Sequence, residues 1–226
     1  MNNSTLIAAI ALIALLAFSS GDRPKVNEKT LEGQIFTVSE AFDNKVYEIA
    51  KLLQTDPNYI FAHFYSESGC NPRAHVNYSD GKWTYGLTDV ASIGRATKGG
   101  GLFGLMRQFC KPPIYSGSFE QFMLDSAVNQ IEAFYQMVKR YTGKIHSFAD
   151  VRMIGFAPKF LNATDATVMF IDKPGNADAY SANYMLDTNK NGSIEAGEVR
   201  VKWVNRWNKW VEATVKSGKP KQLKAI

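Results

Sequence analysis

Cysteine is scarce in this 226-residue chain: Cys70 and Cys110 are the only two. That excludes a disulfide framework and leaves either a single bridge or two buried free thiols. No apolar run reaches the roughly 20 residues that a membrane-spanning helix needs; the notable one, Leu6 to Phe18, has 13. No internal repeat is visible, and no motif interleaves basic with aromatic residues, so nucleic acid is not an expected partner. What is present is core material, with 45% apolar and 12% aromatic residues, enough to bury one ordinary domain plus appendages. The net charge of +5 and a pI near 9.1 suit an anionic partner but do not choose between wall polymer and membrane surface.

The 13-residue apolar run follows a polar start, Met1 to Thr5, and precedes Ser19-Ser20-Gly21 and charged sequence. Its length falls within the range of a secretory h-region. Residues 1–20 are therefore expected to be a signal peptide or an N-terminal membrane anchor, and the protein to work outside the cytoplasm: periplasmic, membrane-anchored, extracellular or virion-associated. The start carries no Lys or Arg, and the first basic residues, Arg23 and Lys25, follow the run. Residues 21–34, polar with Pro24 and Gly33, read as a linker.

Helical spacing dominates the remainder of the chain. Val46, Ile49, Ala50, Leu52 and Leu53 form an apolar stripe behind the cap candidates Thr37 and Ser39. Asp56-Pro57 opens a second helix, with Asp as N-cap and Pro at the first helical position, and Gly69 stops it. Residues 69–118 are rich in Gly, Pro, Asn and Ser and predict a long irregular region of the kind that carries function. A helix is expected from Ser126 to Tyr141 and another from Ser147, ended by Pro158. Thr167 to Ile171 is the one convincing strand. The fold class is mainly α.

Residues Asp187 to Glu198 carry oxygen donors at the spacing of an EF-hand loop. Asp187, Asn189, Asn191, Gly192, Ser193, Ile194, Glu195 and Glu198 stand at loop positions 1, 3, 5, 6, 7, 8, 9 and 12. Calcium takes six to eight oxygens; short side chains at alternate positions offer one each, Gly192 makes the sharp turn, Ser193 gives a carbonyl, and Glu198 can bind through both oxygens. Val199, Trp203, Trp207 and Trp210 continue a helix from that Glu. No second loop pairs with this one, and a lone loop with three carboxylates suits a structural calcium site outside the cell better than a cytosolic sensor.

Glu67 is the candidate catalytic group. Ile60, His63 and Phe64 precede it by seven, four and three residues, so it lies on the apolar face of its helix. Desolvation and the negative end of the helix dipole both favour a protonated carboxyl there, as a general acid requires. The run Glu67-Ser68-Gly69-Cys70-Asn71-Pro72-Arg73-Ala74 resembles the Glu-Ser-x-x-Asn-Pro-x-Ala segment of the lytic transglycosylases with a lysozyme-like fold. A Gly-Leu-Met-Gln segment comes later in that family, and two stretches compete for the place here. Gly86-Leu87 continues as Thr88-Asp89 rather than Met-Gln, and Gly104-Leu105-Met106 is separated from Gln108 by Arg107. Ser126 to Tyr141, Ser147-Phe148-Ala149-Asp150 and Phe156-Ala157-Pro158 resemble phage and prophage members, some of which also carry a Leu-Asp-Thr-Asn-Lys calcium loop, as Leu186 to Lys190 does.

The resemblance implies a lysozyme-like domain over 35–175, an EF-hand-like calcium segment over 176–215 and a basic tail over 216–226. It also implies a non-hydrolytic cut of peptidoglycan glycan strands between N-acetylmuramic acid and N-acetylglucosamine, with Glu67 as acid and then base. Ser68 would position substrate, and Tyr85, Gln108 and Phe156 are further cleft candidates. The calcium ligands would be Asp187, Asn189, Asn191, Ser193, Glu195 and Glu198. Two rivals are a goose-type hydrolase on the same fold, with Asp89 activating water, and an inactive calcium-stabilised wall-binding or virion protein. The basic tail and the N-terminal apolar segment are candidate membrane contacts.

Overall fold

The computed structural model describes residues 38–76, 83–84, 99–173 and 177–217. The expected leader and linker, Tyr85, Asp89 and most of the basic tail lie outside these residues. The chain is mainly α, and it divides into two compact units, Gln34–His146 and Ser147–Gly218. Among the described residues no helix is long and apolar enough to cross a membrane.

In the first unit, α1 (Glu40–Leu53) starts at Ser39, whose hydroxyl accepts the Phe42 amide. Helix α2 (Pro57–Ser68) begins as its sequence predicts. The Asp56 side chain caps the Asn58 amide at 2.8 Å, Pro57 sits where no amide is needed, and Gly69 closes the other end in the left-handed region. Among the described residues two further helices belong to this unit, α3 (Phe119–Leu124), opened by a Ser118/Gln121 capping box, and α4 (Ala127–Val138), capped by Ser126 and continued by a 3₁₀ turn to Tyr141. Helix α1 packs on both α2 and α4.

The core of this unit is a relay of phenylalanine rings. Phe42 meets Phe64 edge-on at 6.1 Å, Phe64 meets Phe134 at 5.0 Å, Phe134 meets Phe103 at 5.5 Å and Phe103 meets Phe122 at 5.7 Å. Each buried ring contributes about 2–3 kcal/mol of transfer free energy, and each edge-on pair about 0.5–1.5 kcal/mol more. The relay ties the irregular 99–118 region to all four of these helices. Two segments of that region join two from residues 75–84 in what local pattern does not reveal, a four-stranded sheet in the order β2-β1-β3-β4. Its strands are β1 (His75–Val76), β2 (Trp83–Thr84), β3 (Gly99–Gly100) and β4 (Leu105–Met106), all antiparallel. Two-residue strands have no period to read, so only tertiary pairing defines them.

In the second unit, α5 (Phe148–Phe156) ends just before Pro158 and packs on the long C-terminal helix α7 (Ala196–Ser217). Phe148 stacks on Trp207 at 5.6 Å, and Phe156 stands edge-on to Trp203 at 5.6 Å. Strand β5 (Val168–Ile171) pairs antiparallel with β6 (Ser193–Glu195), and a short helix, α6 (Ala177–Ser181), lies against β5. The Arg200 guanidinium binds the Asp165 carboxylate at 2.7 Å and the Ala163 carbonyl, clamping the 160–165 turn to α7. The sequence reading begins a new segment at residue 176, whereas the packing divides after His146. The physical reason is that α5 and β5 share their core with α7 and β6.

Candidate functional site

Glu67 is the penultimate residue of α2. Its neighbours on the helix face, Ile60, His63 and Phe64, are buried, and Glu67 itself is half-buried, as the apolar-face reading expects. Its carboxylate lies directly against Gly104: a Cβ built at Gly104 would stand 2.8 Å from Glu67 Oε2. Gly104 also has φ +66°, a left-handed conformation in which a side chain would be strained, so residue type and close approach coincide. Of the two stretches competing for the Gly-Leu-Met-Gln place, the one beginning at Gly104 therefore touches the candidate acid. Residues 86–90 lie outside the described residues.

The chain after Glu67 is an irregular turn in which each polar group has a definite partner. Ser68 is buried, and its hydroxyl is shared between the Phe64 and Leu102 carbonyls, each at 2.9 Å. Its observed work is to fasten the end of α2 to the 101–104 turn. The Asn71 side chain accepts the Arg73 amide at 2.8 Å, forming an Asx turn at Pro72. The Ala74 carbonyl accepts the Gly101 amide at 2.7 Å, and Ala74 is fully buried. The Ser, Asn, Pro and Ala of the segment thus build the platform from which Glu67 projects.

Gln130 falls in the Ser126 to Tyr141 segment but is given no role by the sequence, and it holds this platform together. It is 0% exposed; its Oε1 accepts the Leu102 amide at 2.9 Å, and its Nε2 donates to the Pro72 carbonyl at 3.0 Å and the Phe122 carbonyl at 2.8 Å. One side chain on α4 thereby joins the Glu67 turn, the 101–104 turn and the end of α3. A polar residue on an otherwise apolar helix face, with Ile131, Phe134 and Val138, is the signal by which sequence reasoning could have found it.

Past Gly104, Leu105 is buried and Met106 exposed. Arg107, the residue that separates Met106 from Gln108, turns to α3. There its guanidinium lies 4.6 Å over the Phe119 ring and pairs with Glu120, whose carboxyl it holds below the usual glutamate value. Gln108 and Phe109 are exposed on the same strip as Met106. Phe156 belongs to the second unit, where its ring is set edge-on against both Phe170 and Trp203 and serves packing. Cys70 and Cys110 are free thiols; burial pushes the Cys70 thiol up and raises that of Cys110 to about 11, so neither is a thiolate near neutral pH.

The Asp187–Glu198 loop has the internal bonding that its residue types allow. Asn189 Oδ1 accepts the Asn191 amide at 3.0 Å and Asn191 Oδ1 accepts the Ser193 amide at 2.8 Å, two successive Asx turns. Gly192, at φ +78°, makes the sharp turn. Ile194 is fully buried on β6, the loop's strand, which pairs with β5. Asp187 accepts the Asn191 and Gly192 amides and the Tyr180 hydroxyl, and the last bond raises the Tyr180 pKa to about 12 and lowers that of Asp187. Glu198 Oε1 accepts the Thr188 amide and hydroxyl, both at 2.8 Å, and the Asn189 amide at 3.1 Å; Oε2 accepts the Glu195 amide at 3.0 Å. Oε1 is thus heavily engaged, and capture of a cation by both oxygens of Glu198 requires it to release a donor.

Among the described residues no three His, Cys, Asp or Glu side chains converge as a metal centre. The loop's donors are of another kind: two carboxamides, a backbone carbonyl and carboxylates, hard oxygens around a glycine turn. That set fits calcium in type and spacing. Compared with known proteins, the chain matches no family model, no curated protein and no solved structure.

Proposed function

We propose that this protein is a glycan-strand-cleaving enzyme with a single catalytic carboxylate, and specifically a peptidoglycan lytic transglycosylase with a lysozyme-like domain and a structural calcium loop. The observation that carries the reading is the Glu67 carboxylate held against Gly104, on a platform secured by Ser68 and Gln130. A general acid must be fixed in place, and here the helix end that carries Glu67 and the turn it stands against are joined through Ser68 and Gln130. Glu67 donates its proton to the glycosidic oxygen as the bond to the muramoyl C1 breaks. It then takes the proton of the muramoyl C6 hydroxyl as that oxygen closes on C1, giving a 1,6-anhydro ring with no water consumed. One carboxylate suffices, where most glycosidases need two.

The exposed strip of Met106, Gln108 and Phe109 beyond Gly104 is available to contact sugar, and the net charge of +5 favours an anionic wall polymer. Export by the N-terminal apolar segment would bring the enzyme to that substrate. Purified protein incubated with peptidoglycan should release glycans ending in 1,6-anhydromuramic acid. Mass spectrometry checks this, since reducing ends, heavier by one water, would mark a hydrolase.

Calcium would be held by Asp187, Asn189, Asn191, the Ser193 carbonyl, Glu195 and Glu198, and when bound it supplies a crosslink within the loop. Because β6 pairs with β5, that crosslink braces the second unit. At a calcium concentration about 100 times the Kd the stabilisation is about 2.7 kcal/mol, or roughly 5–10 °C in melting temperature. Chelation should remove it. A melting temperature indifferent to chelator ends the structural-calcium reading.

A further inference from the structure

We infer that Tyr180 is a positioning residue of the calcium loop: its hydroxyl holds one oxygen of Asp187 so that the other is presented to the ion. The inference rests on the calcium reading above and adds to it a residue that lies outside the 12-position loop. Tyr180 is seven residues before Asp187, on α6. The intervening chain turns back through a 3₁₀ turn at Tyr184–Leu186, in which the Leu186 amide reaches the Asn183 carbonyl and the Asp187 amide the Tyr184 carbonyl. The Asn183 carboxamide in turn donates to the Ala179 carbonyl at 2.9 Å. This folding-back sets the Tyr180 hydroxyl 2.6 Å from Asp187 Oδ2.

Asp187 is 8% exposed, so what surrounds its two oxygens decides what they can do. Oδ2 takes both the Gly192 amide at 3.0 Å and the short Tyr180 bond, while Oδ1 takes the Asn191 amide at the longer 3.2 Å. Oδ2 is held by two donors, one of them the 2.6 Å Tyr180 bond, and is the oxygen fixed in place; the Lys190 amide also reaches this carboxylate. A hydrogen bond to an ionised carboxylate is about twice as strong as a neutral one, enough to hold the carboxylate in one rotamer. Helix α6 lies against β5, the strand that pairs with the loop's own β6, so the donor and the loop are mounted on one sheet. Outer partners of metal ligands typically contribute 10–100-fold in metal affinity, and Tyr180 stands in that relation to Asp187.

The test is isothermal titration calorimetry of calcium chloride into the full-length protein, its Tyr180→Phe variant and a Tyr184→Phe control, with calcium-free melting temperatures for each. Tyr184 is 63% exposed on the same segment and serves as the matched phenol. Tyr180→Phe should raise the calcium Kd about tenfold, with the calcium-free melting temperature within about 3 °C of the parent, and Tyr184→Phe should change neither. A Kd for Tyr180→Phe within twofold of the parent, or tighter, overturns the inference. So does a calcium-free variant that no longer melts cooperatively, which would assign Tyr180 to packing. A parent protein that binds no calcium removes the calcium reading itself, an outcome distinct from both.

Discussion

Replacing Glu67 by Gln should lower the rate of glycan release from peptidoglycan about 10³-fold, in the middle of the range for loss of a general acid-base group. The amide matches the carboxyl in size, so contact with Gly104 and the packing of α2 are retained and the melting temperature should move by less than about 3 °C. What is lost is the proton. An amide neither protonates the leaving oxygen nor accepts from the C6 hydroxyl, so both halves of the proposed reaction fail together. The measurement is the initial rate of soluble muropeptide release by parent and variant at equal concentration. Equal rates would remove Glu67 from the chemistry and with it the transglycosylase reading.

The second large effect is expected at Gln130→Leu. Leucine fills a similar volume but makes none of the three hydrogen bonds. The Phe122 carbonyl still accepts the Asp125 amide, so the damage falls chiefly on the buried Leu102 amide and less on the part-buried Pro72 carbonyl. An unsatisfied buried group costs about 1–3 kcal/mol, so the Leu102 amide alone removes a sizeable share of a typical domain stability of about 5–15 kcal/mol. Thermal unfolding should show a fall of at least about 5 °C. Activity should fall further than stability alone explains, because the 101–104 turn that meets Glu67 loses its tie to α4 and keeps only those to Ser68 and Ala74. A melting temperature within about 2 °C of the parent would mean that the clamp described for Gln130 does not bear on stability.

Sequence pattern and structure agree where the physics is local. Asp56-Pro57 and Gly69 delimit α2 because capping and backbone freedom act over one helical turn. Ser126 and Ser147 cap helices for the same reason. The apolar spacing of Ile60, His63 and Phe64 puts Glu67 on the inner face because side-chain direction in a helix depends on residue number alone. The 187–198 loop is similarly legible: each oxygen donor is set by its own position in a 12-residue turn, and Gly192 has the positive φ the turn demands.

The structure adds what depends on residues far apart in the chain. Ser68 is expected from its motif to serve substrate, yet its hydroxyl is spent on the Leu102 carbonyl, a partner 34 residues away. The choice between two Gly-Leu stretches could not be made from composition, since one has Thr88-Asp89 in place of Met-Gln and the other carries the inserted Arg107. It is the contact between Gly104 and Glu67 that favours one of them. Arg107 looks like an intrusion in the motif until Glu120 and Phe119 account for it. The sheet of two-residue strands and the sharing of core between α5 and α7 are likewise pairings, with no local period to announce them.

The sequence by itself therefore determined the helices' ends, the face on which Glu67 lies and the donor order of the 187–198 loop, because caps, helical period and turn chemistry act within a few residues. Only the tertiary structure decided what stands against the Glu67 carboxylate, what Gln130 joins and which hydroxyl holds Asp187. Those contacts are made by packing, and packing brings together residues whose separation along the chain carries no signal.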